Sequence, residues 1–131
     1  MSNPHLVNSI VWGNAPEQIY FDTQWPGEAV TIEYSDIQGG QSGIVTNGQG
    51  PVYWGDGNTD ALPRFVNAGM GNYHLRNDHE GPCLGTGETA GAPTTDIEGN
   101  PRPRPEESNP DMGAFENPMG FWVYTPALVK P

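Results

Sequence analysis

Three oxygen-bearing side chains alternate with glycine and threonine near the middle of the chain. Asp56, Asn58 and Asp60 occupy positions 1, 3 and 5 of the spacing that begins a calcium-binding loop. The match ends there, because position 6 is Ala61 instead of glycine and position 12 is Asn67 instead of glutamate. Two interpretations are open: an ordinary turn, or a cation site completed by ligands from other segments.

A second group of acidic residues surrounds a proline-rich segment towards the end of the chain. Two arginines lie within that segment, so internal carboxylate–guanidinium pairs would hold the loop in place. The alternative is a calcium site, because this ion prefers carboxylate oxygens. The acids are Asp96, Glu98, Asp111 and Glu116, and the arginines are Arg102 and Arg104.

Motifs for covalent catalysis or cofactor binding are absent from the sequence. It contains no Gly-x-Ser-x-Gly elbow, phosphate-binding loop or dinucleotide fingerprint. Cys83, the only cysteine, follows a proline and has no histidine beside it, which predicts a buried and inert thiol. The histidines lack the spacing of a tetrahedral zinc site. They are His5, His74 and His79.

Two further chemical possibilities come from acidic and aromatic side chains. A glycosidase needs two carboxyl groups about 5 to 10 Å apart, and three acids in the first half are candidates for this arrangement. Exposed aromatic residues, among them the tryptophans, Tyr20 and Tyr53, would form a platform for sugar rings; the alternative is that they pack inside the fold. The acids are Asp22, Glu33 and Asp36, and the tryptophans are Trp12, Trp25 and Trp54, of which Trp25 is the one most expected to be exposed.

Charge and composition exclude several classes of function. Sixteen acids against five Lys and Arg give a net charge of −11, which predicts no binding to nucleic acid or anionic lipid. There is no apolar run long enough for membrane insertion. The first residues lack the features of a signal peptide, so we expect the chain to begin after one or to be a piece of a longer protein. The acidity fits an extracellular protein.

The 18 glycines and 14 prolines are interleaved with β-branched and aromatic residues, a pattern typical of short strands joined by dense turns. Helix is expected to be nearly absent, because glycine or proline interrupts almost every window of ten residues. The predicted strands are residues 6–12, 18–21, 30–37, 43–46, 65–66 and 73–75.

A repeat connects these strands. A shift of 26 residues places Ser9 on Ser35, Val11 on Ile37, Gly13 on Gly39 and Ile19 on Val45, and a looser third copy places Phe65 on Ile37. Periods of 20 to 50 residues indicate solenoids, in which each repeat buries its apolar face against its neighbours.

Several segments also match, in order, the end of one group of proteins. Residues 8–14 and 34–40 fit its final coils, and residues 81–87 read G-P-C-L-G-T-G. Residues 96–103 read D-I-E-G-N-P-R-P and residues 111–116 read D-M-G-A-F-E. The chain thus resembles the C-terminal coils and cap of bacterial right-handed parallel β-helix surface proteins of the choice-of-anchor type. These end in S-P-C-I-D-A-G, T-D-I-D-G-N-P-R-P and D-M-G-A-Y-E.

The resemblance implies an all-β, right-handed parallel β-helix of three to four coils over residues 1–80, an irregular cap over residues 81–118 and an apolar tail over residues 119–131. We expect Met112 and Phe115 to plug the cap. The tail is strongly β-prone, and three interpretations are open: it folds back on its own solenoid, it leads into an anchoring domain, or it joins a second copy as an added strand. Its assembly residues are Phe121, Trp122, Val123, Tyr124 and Leu128.

The expected function is therefore that of a structural, non-catalytic segment of an extracellular or cell-surface β-solenoid. It would self-associate through its ends or its tail, and a head-to-tail contact would make filaments. The alternatives are a carbohydrate-binding module with a polysaccharide as its partner, or the remnant of a polysaccharide lyase or glycosidase. No cofactor is expected apart from a possible calcium ion.

Overall fold

The computed structural model describes residues 2–78 and 80–118, and regular structure there is almost entirely β. Only two short 3-10 helices occur in these residues, at Gly40–Gly43 and Ala68–Met70, so the expected scarcity of helix is confirmed there. The strands are β1 (His5–Val7), β2 (Ile10–Val11), β3 (Ile19–Tyr20), β4 (Val30–Glu33), β5 (Asp36–Ile37), β6 (Ile44–Val45), β7 (Val52–Trp54), β8 (Phe65–Asn67) and β9 (Asn72–Leu75).

The chain divides into two compact units, Met1–Ala61 and Leu62–Pro131. In the first unit the backbone makes successive passes that pair in parallel. β1, β4 and β7 form one three-stranded sheet, while β2 pairs with β5 and β3 pairs with β6. The all-β class is thus correct, but the sheets are short and do not form a closed solenoid.

The register between the first two passes follows the predicted shift in part. Val11 pairs with Ile37, as a shift of 26 residues predicts. Ile19 pairs with Ile44 instead of Val45, so that prediction was wrong by one residue. The reason is local. The connection between β5 and β6 in the second pass is one residue shorter than the connection between β2 and β3 in the first pass, and it contains the 3-10 helix Gly40–Gly43.

The third pass is shorter than the sequence repeat indicates. Val30 pairs with Val52, and Asp36 forms a parallel bridge with Thr59, so the spacing falls below 26 residues. Phe65 therefore does not stand on Ile37, contrary to the prediction. It pairs with Leu75 in an antiparallel hairpin of the second unit.

A left-handed residue recurs at the same corner of each pass. Asn8 (φ 55°) and Tyr34 (φ 49°) interrupt the two long predicted strands and split each into two short ones. Gly57 (φ 77°) turns the third pass at the matching place. A Cβ added at Gly57 would overlap the Tyr34 ring, so glycine is needed there both for its backbone conformation and for its lack of a side chain.

Polar side chains beside this corner connect the passes. The N–H of Ser9 donates to Oγ of Ser35 at 3.1 Å, and the N–H of Ser35 donates to Oδ1 of Asn58 at 3.0 Å. The Asn58 amide nitrogen donates in turn to the Ile32 carbonyl at 2.8 Å. These bonds satisfy backbone groups that the turn removes from the ladders.

Apolar side chains of the same strands form the core of the first unit. Its centre is fully enclosed, with Ile32 and Ile37 at 0% exposure. Half-buried residues of the first and third passes, such as Val11 and Trp54, pack against it. The buried members are Phe21, Val30, Ile32, Ile37 and Ile44.

The second unit consists of the hairpin β8–β9 followed by irregular backbone. Cys83 is fully buried, as predicted, and its carbonyl accepts the N–H of Met112 at 2.9 Å. Met112 is buried too, whereas Phe115 is half-buried and stacks on His74 with ring centroids 3.9 Å apart. Across residues 2–78 and 80–118, no helix has the length and apolarity that crossing a membrane requires.

Replacing Gly57 with alanine should destabilise the corner. The substitution strains the backbone and crowds Tyr34, so we expect the free energy of unfolding in urea to fall by about 2 to 4 kcal/mol. Gly13→Ala is the matched control, because Gly13 has a φ of 79° and nothing lies within 4 Å of an added Cβ. It should lose only about 1 kcal/mol. Equal losses in the two variants would contradict the close stacking on Tyr34.

Candidate functional site

A buried ion pair lies at the centre of the second unit. Nε of Arg102 donates to Oε1 of Glu116 at 2.8 Å, and the two side chains are 7% and 0% exposed. The second oxygen of Glu116 accepts the backbone N–H of Arg104 at 2.9 Å. The expected pairing of a carboxylate with a guanidinium is therefore present for Arg102, while Arg104 reaches the same carboxylate through its backbone.

Two further carboxylates serve backbone N–H groups. Asp96 accepts from Glu98 and Asn100, each at 2.9 Å, and from Glu116 at 2.8 Å. Asp111 accepts from Gly85 and Asn117, each at 2.7 Å. Together with the Arg102–Glu116 pair, these carboxylates form what we call the cap network, defined by Asp96, Arg102, Asp111 and Glu116.

The pKa values of the two aspartates in the cap network are shifted in opposite directions. Burial raises the pKa of Asp96, but the N–H groups of Glu116, Asn100 and Glu98 outweigh burial and hold it below its ordinary value. Burial also raises the pKa of Asp111, and the neighbouring Glu116 carboxylate adds to this effect. The N–H of Asn117 opposes both, and the net result is a pKa of about 7.

The chemistry of this network is structural. Its carboxylate oxygens point at backbone N–H groups and at Arg102, so a cation would have to replace those hydrogen bonds. Within the described residues, no three His, Cys, Asp or Glu side chains are grouped in a way that could hold a metal ion. Glu98 donates its backbone N–H to Asp96, but its carboxylate faces His74 instead, with Oε1 at 3.0 Å from Nε2.

The ring of His74 joins two segments whose contact was not predicted from the sequence. Its Nδ1 lies 2.7 Å from Oδ1 of Asn72, an oxygen that also accepts the N–H of His74 at 3.2 Å. Both ring nitrogens therefore lie within hydrogen-bond distance of an oxygen, since Nε2 is 3.0 Å from the Glu98 carboxylate. His74 is thus a contact between the hairpin and the loop that contains Glu98.

The three oxygen-bearing residues of the predicted calcium loop have separate roles. Asp56 has an exposed side chain, and its carbonyl accepts the N–H of Tyr34 at 2.9 Å. The amide of Asn58 holds the corner described above. Oδ1 of Asp60 accepts the N–H of Gly39 at 2.9 Å. These contacts fit the turn interpretation.

The acids proposed for a glycosidase pair are likewise used differently. Glu33 contacts Nε2 of His5 at 2.7 Å. Asp36 is fully buried and accepts the N–H of Ala61 at 3.2 Å. Asp22 is exposed and accepts the N–H of Gln24 at 2.7 Å. One is a surface contact, one is a buried acceptor and one closes a loop.

The three candidate tryptophans differ in exposure. Trp54 and Trp12 are half-buried, and Trp54 packs against the core of the first unit. Trp25 is 66% exposed and lies beside an open groove of about 400 Å³. Tyr20, 59% exposed, lines the same groove. The sequence singled out Trp25 as exposed and included Tyr20 among the aromatic residues considered for sugar stacking, but residue types alone carry no signal that the two line one groove.

Comparison with known proteins found no matching family model, no matching curated protein and no matching solved structure.

Removing the charge of Arg102 should destabilise the second unit. Arg102→Met leaves the Glu116 carboxylate buried without its cation, so we expect the free energy of unfolding to fall by about 3 to 5 kcal/mol. Arg64→Met is the matched control. Arg64 contacts Asp78 at 2.7 Å, but these side chains are 34% and 28% exposed, and such pairs contribute about 0 to 1 kcal/mol. If both variants unfold at the same urea concentration, the Arg102–Glu116 pair is not a major source of stability.

The raised pKa of Asp111 predicts that stability falls as the pH rises from about 4 to about 7 and then levels off. The folded state holds a proton that the unfolded state has already released, so between pH 5 and pH 8 the free energy of unfolding should drop by an amount on the order of 2 kcal/mol. Asp96 has a lowered pKa and so has the opposite effect: its contribution to the free energy of unfolding is lost as the pH falls below about 4. Urea titrations at pH 3, 5 and 8 measure both effects. Asp111→Asn should remove the decline between pH 5 and pH 8, and an unchanged decline would assign it to another group.

Proposed function

We propose that this chain is a structural, non-catalytic segment that ends an extracellular or cell-surface β-solenoid. The observation that carries the proposal is the parallel pairing of successive passes in the first unit, with Val11 beside Ile37 and Val30 beside Val52. Parallel strands in consecutive order require a full pass of the chain between them, which is how a solenoid coil is built. The short ladders seen here are consistent with the last passes of such a structure.

The second unit supports a capping role. The segments that resemble the end of bacterial parallel β-helix surface proteins, residues 96–103 and 111–116, contribute every member of the cap network. We interpret these hydrogen-bonded residues as a means of folding the segment. A proline-rich stretch cannot join a sheet ladder, so its backbone needs hydrogen-bond partners from side chains. Irregular, polar ends are the usual way in which repeat proteins terminate.

Association would use the edges of the three-stranded sheet and the tail. β1 and β7 are its outer strands, and an outer strand presents unpaired backbone groups on its free side. The tail residues Phe121, Trp122, Val123, Tyr124 and Leu128 lie outside the described part of the chain. Their sequence favours an added strand, which would join copies head to tail.

Charging the tail should abolish this association. Val123→Asp places a carboxylate within the apolar run, so we expect light scattering and electron microscopy to show polymers of the full chain and monomers of the variant. Deleting residues 119–131 should have the same effect. Met119→Asp is the matched control, because it adds the same charge outside the run and should leave the polymers intact. Particles of one size in all four samples would contradict the proposal that the tail joins copies.

A further inference from the structure

We propose that the groove beside Trp25 is a binding site for an uncharged oligosaccharide. Its volume of about 400 Å³ lies within the ordinary range of ligand sites, roughly 300 to 1,000 Å³. Its floor is apolar, formed by core side chains of the first two passes, and its rim carries aromatic and acidic side chains. The floor includes Leu6, Ile19, Phe21 and Val30, and the rim includes Tyr20, Asp22, Trp25 and Glu28.

The aromatic rim is available for stacking. Trp25 and Tyr20 are 66% and 59% exposed, and neither ring has a ring contact or a side-chain hydrogen bond with any described residue. A pyranose presents an apolar face of C–H groups, which packs on an indole or phenol ring while its hydroxyls remain at the edge. The hydroxyl of Tyr20 and the indole N–H of Trp25 are suited to such a ligand, because each ring combines an apolar face with a polar group.

The acidic rim supplies hydrogen-bond acceptors. Asp22 uses Oδ1 to accept the N–H of Gln24 at 2.7 Å, while its Oδ2 has no partner among the described residues. This oxygen is therefore free to accept a sugar hydroxyl, and hydrogen bonds to a charged acceptor are stronger than neutral ones. Glu28 is already engaged by the N–H of Ser2, at 2.9 and 3.1 Å to its two oxygens.

The charge of the groove selects the class of saccharide. Among the described residues that line it, the charged ones are the carboxylates Asp22 and Glu28, and none of these residues is Lys, Arg or His. The whole chain carries a net charge of −11. Uronates and sulfated sugars would be repelled. Hexose oligomers without acidic groups meet no such barrier. The described lining thus provides a stacking surface, an available acceptor and a negative charge, and these three features favour an uncharged oligosaccharide as the ligand.

Calorimetric titration of the full chain tests this inference. Hexasaccharides of glucose, xylose and N-acetylglucosamine are the probes, with hexagalacturonate as the acidic comparison. We expect at least one uncharged probe to bind, and the galacturonate to bind at least tenfold more weakly. Trp25→Ala and Tyr20→Ala should each weaken binding about tenfold through loss of stacking, and Asp22→Asn should weaken it less.

Tyr53→Ala is the matched control, because Tyr53 is also a strand tyrosine, is 59% exposed like Tyr20 and lies outside the groove. It should leave the affinity unchanged. The inference is overturned if none of the uncharged probes binds, or if Tyr53→Ala weakens binding as much as Trp25→Ala. It is also overturned if Trp25→Ala changes only the particle mass in light scattering, which would make the groove a contact between copies.

The same titration of Val123→Asp separates this inference from the proposed structural role. Sugar binding by a monomeric variant would support the groove whatever the fate of the polymers. Loss of binding in that variant would contradict a site contained in the first unit.

Discussion

Parallel pairing between successive passes is the constraint on which the first unit depends. Two parallel strands cannot be joined by a tight turn, so the chain must travel through a full pass before it meets its own ladder again. Each pass must then change direction at the same place, and it does so with a left-handed residue: Asn8, Tyr34 and Gly57. Since Tyr34 occupies the space above it, the third corner can only be glycine. The parallel ladder therefore determines where the chain must turn. At each turn some backbone groups leave the ladder, and polar side chains such as that of Ser35 provide their hydrogen-bond partners.

In the second unit, charged side chains instead of neighbouring strands provide hydrogen-bond partners for many backbone groups. Proline has no N–H and cannot donate to a ladder, so the segment that contains Arg102 and Arg104 cannot form a regular sheet. The N–H of Arg102 donates to the Thr94 carbonyl, while the N–H of Arg104 donates to the Glu116 carboxylate. Backbone N–H groups of the adjoining loops donate to the carboxylates of Asp96 and Asp111. Burying three carboxylates is costly. One guanidinium and a full set of hydrogen bonds offset that cost, and no buried side-chain polar atom in residues 2–78 and 80–118 lacks a partner.

The sequence predicted what is local or periodic and missed what depends on loop length. Strand positions and the Val11–Ile37 pair follow from β-branched residues and a constant shift. The Ile19–Ile44 pair does not, because one residue lost near a 3-10 helix changes the register and leaves no trace in residue types. β7 went unpredicted because glycine and proline surround it. Ion pairing in the proline-rich segment was predictable, because arginines and acids lie close together in the sequence there. The contact between His74 and Glu98 was not, because these residues are not related by the repeat.

Some of the acidic residues of the chain have a structural role in addition to their effect on surface charge. Asp36, Asp60, Asp96 and Asp111 each accept a backbone N–H where the chain turns or leaves a ladder. An aspartate used in this way stabilises irregular backbone and at the same time becomes a poor ligand, because binding a cation would release the N–H that it holds. Turn-rich backbone and abundant aspartate thus belong together, and the negative charge follows from the fold. Asp22 differs in its surroundings, because it lines a groove beside the exposed rings of Tyr20 and Trp25, and its Oδ2 is not used by the backbone. The groove therefore offers an acceptor next to stacking surfaces, whereas the carboxylates of the cap network already hold backbone N–H groups.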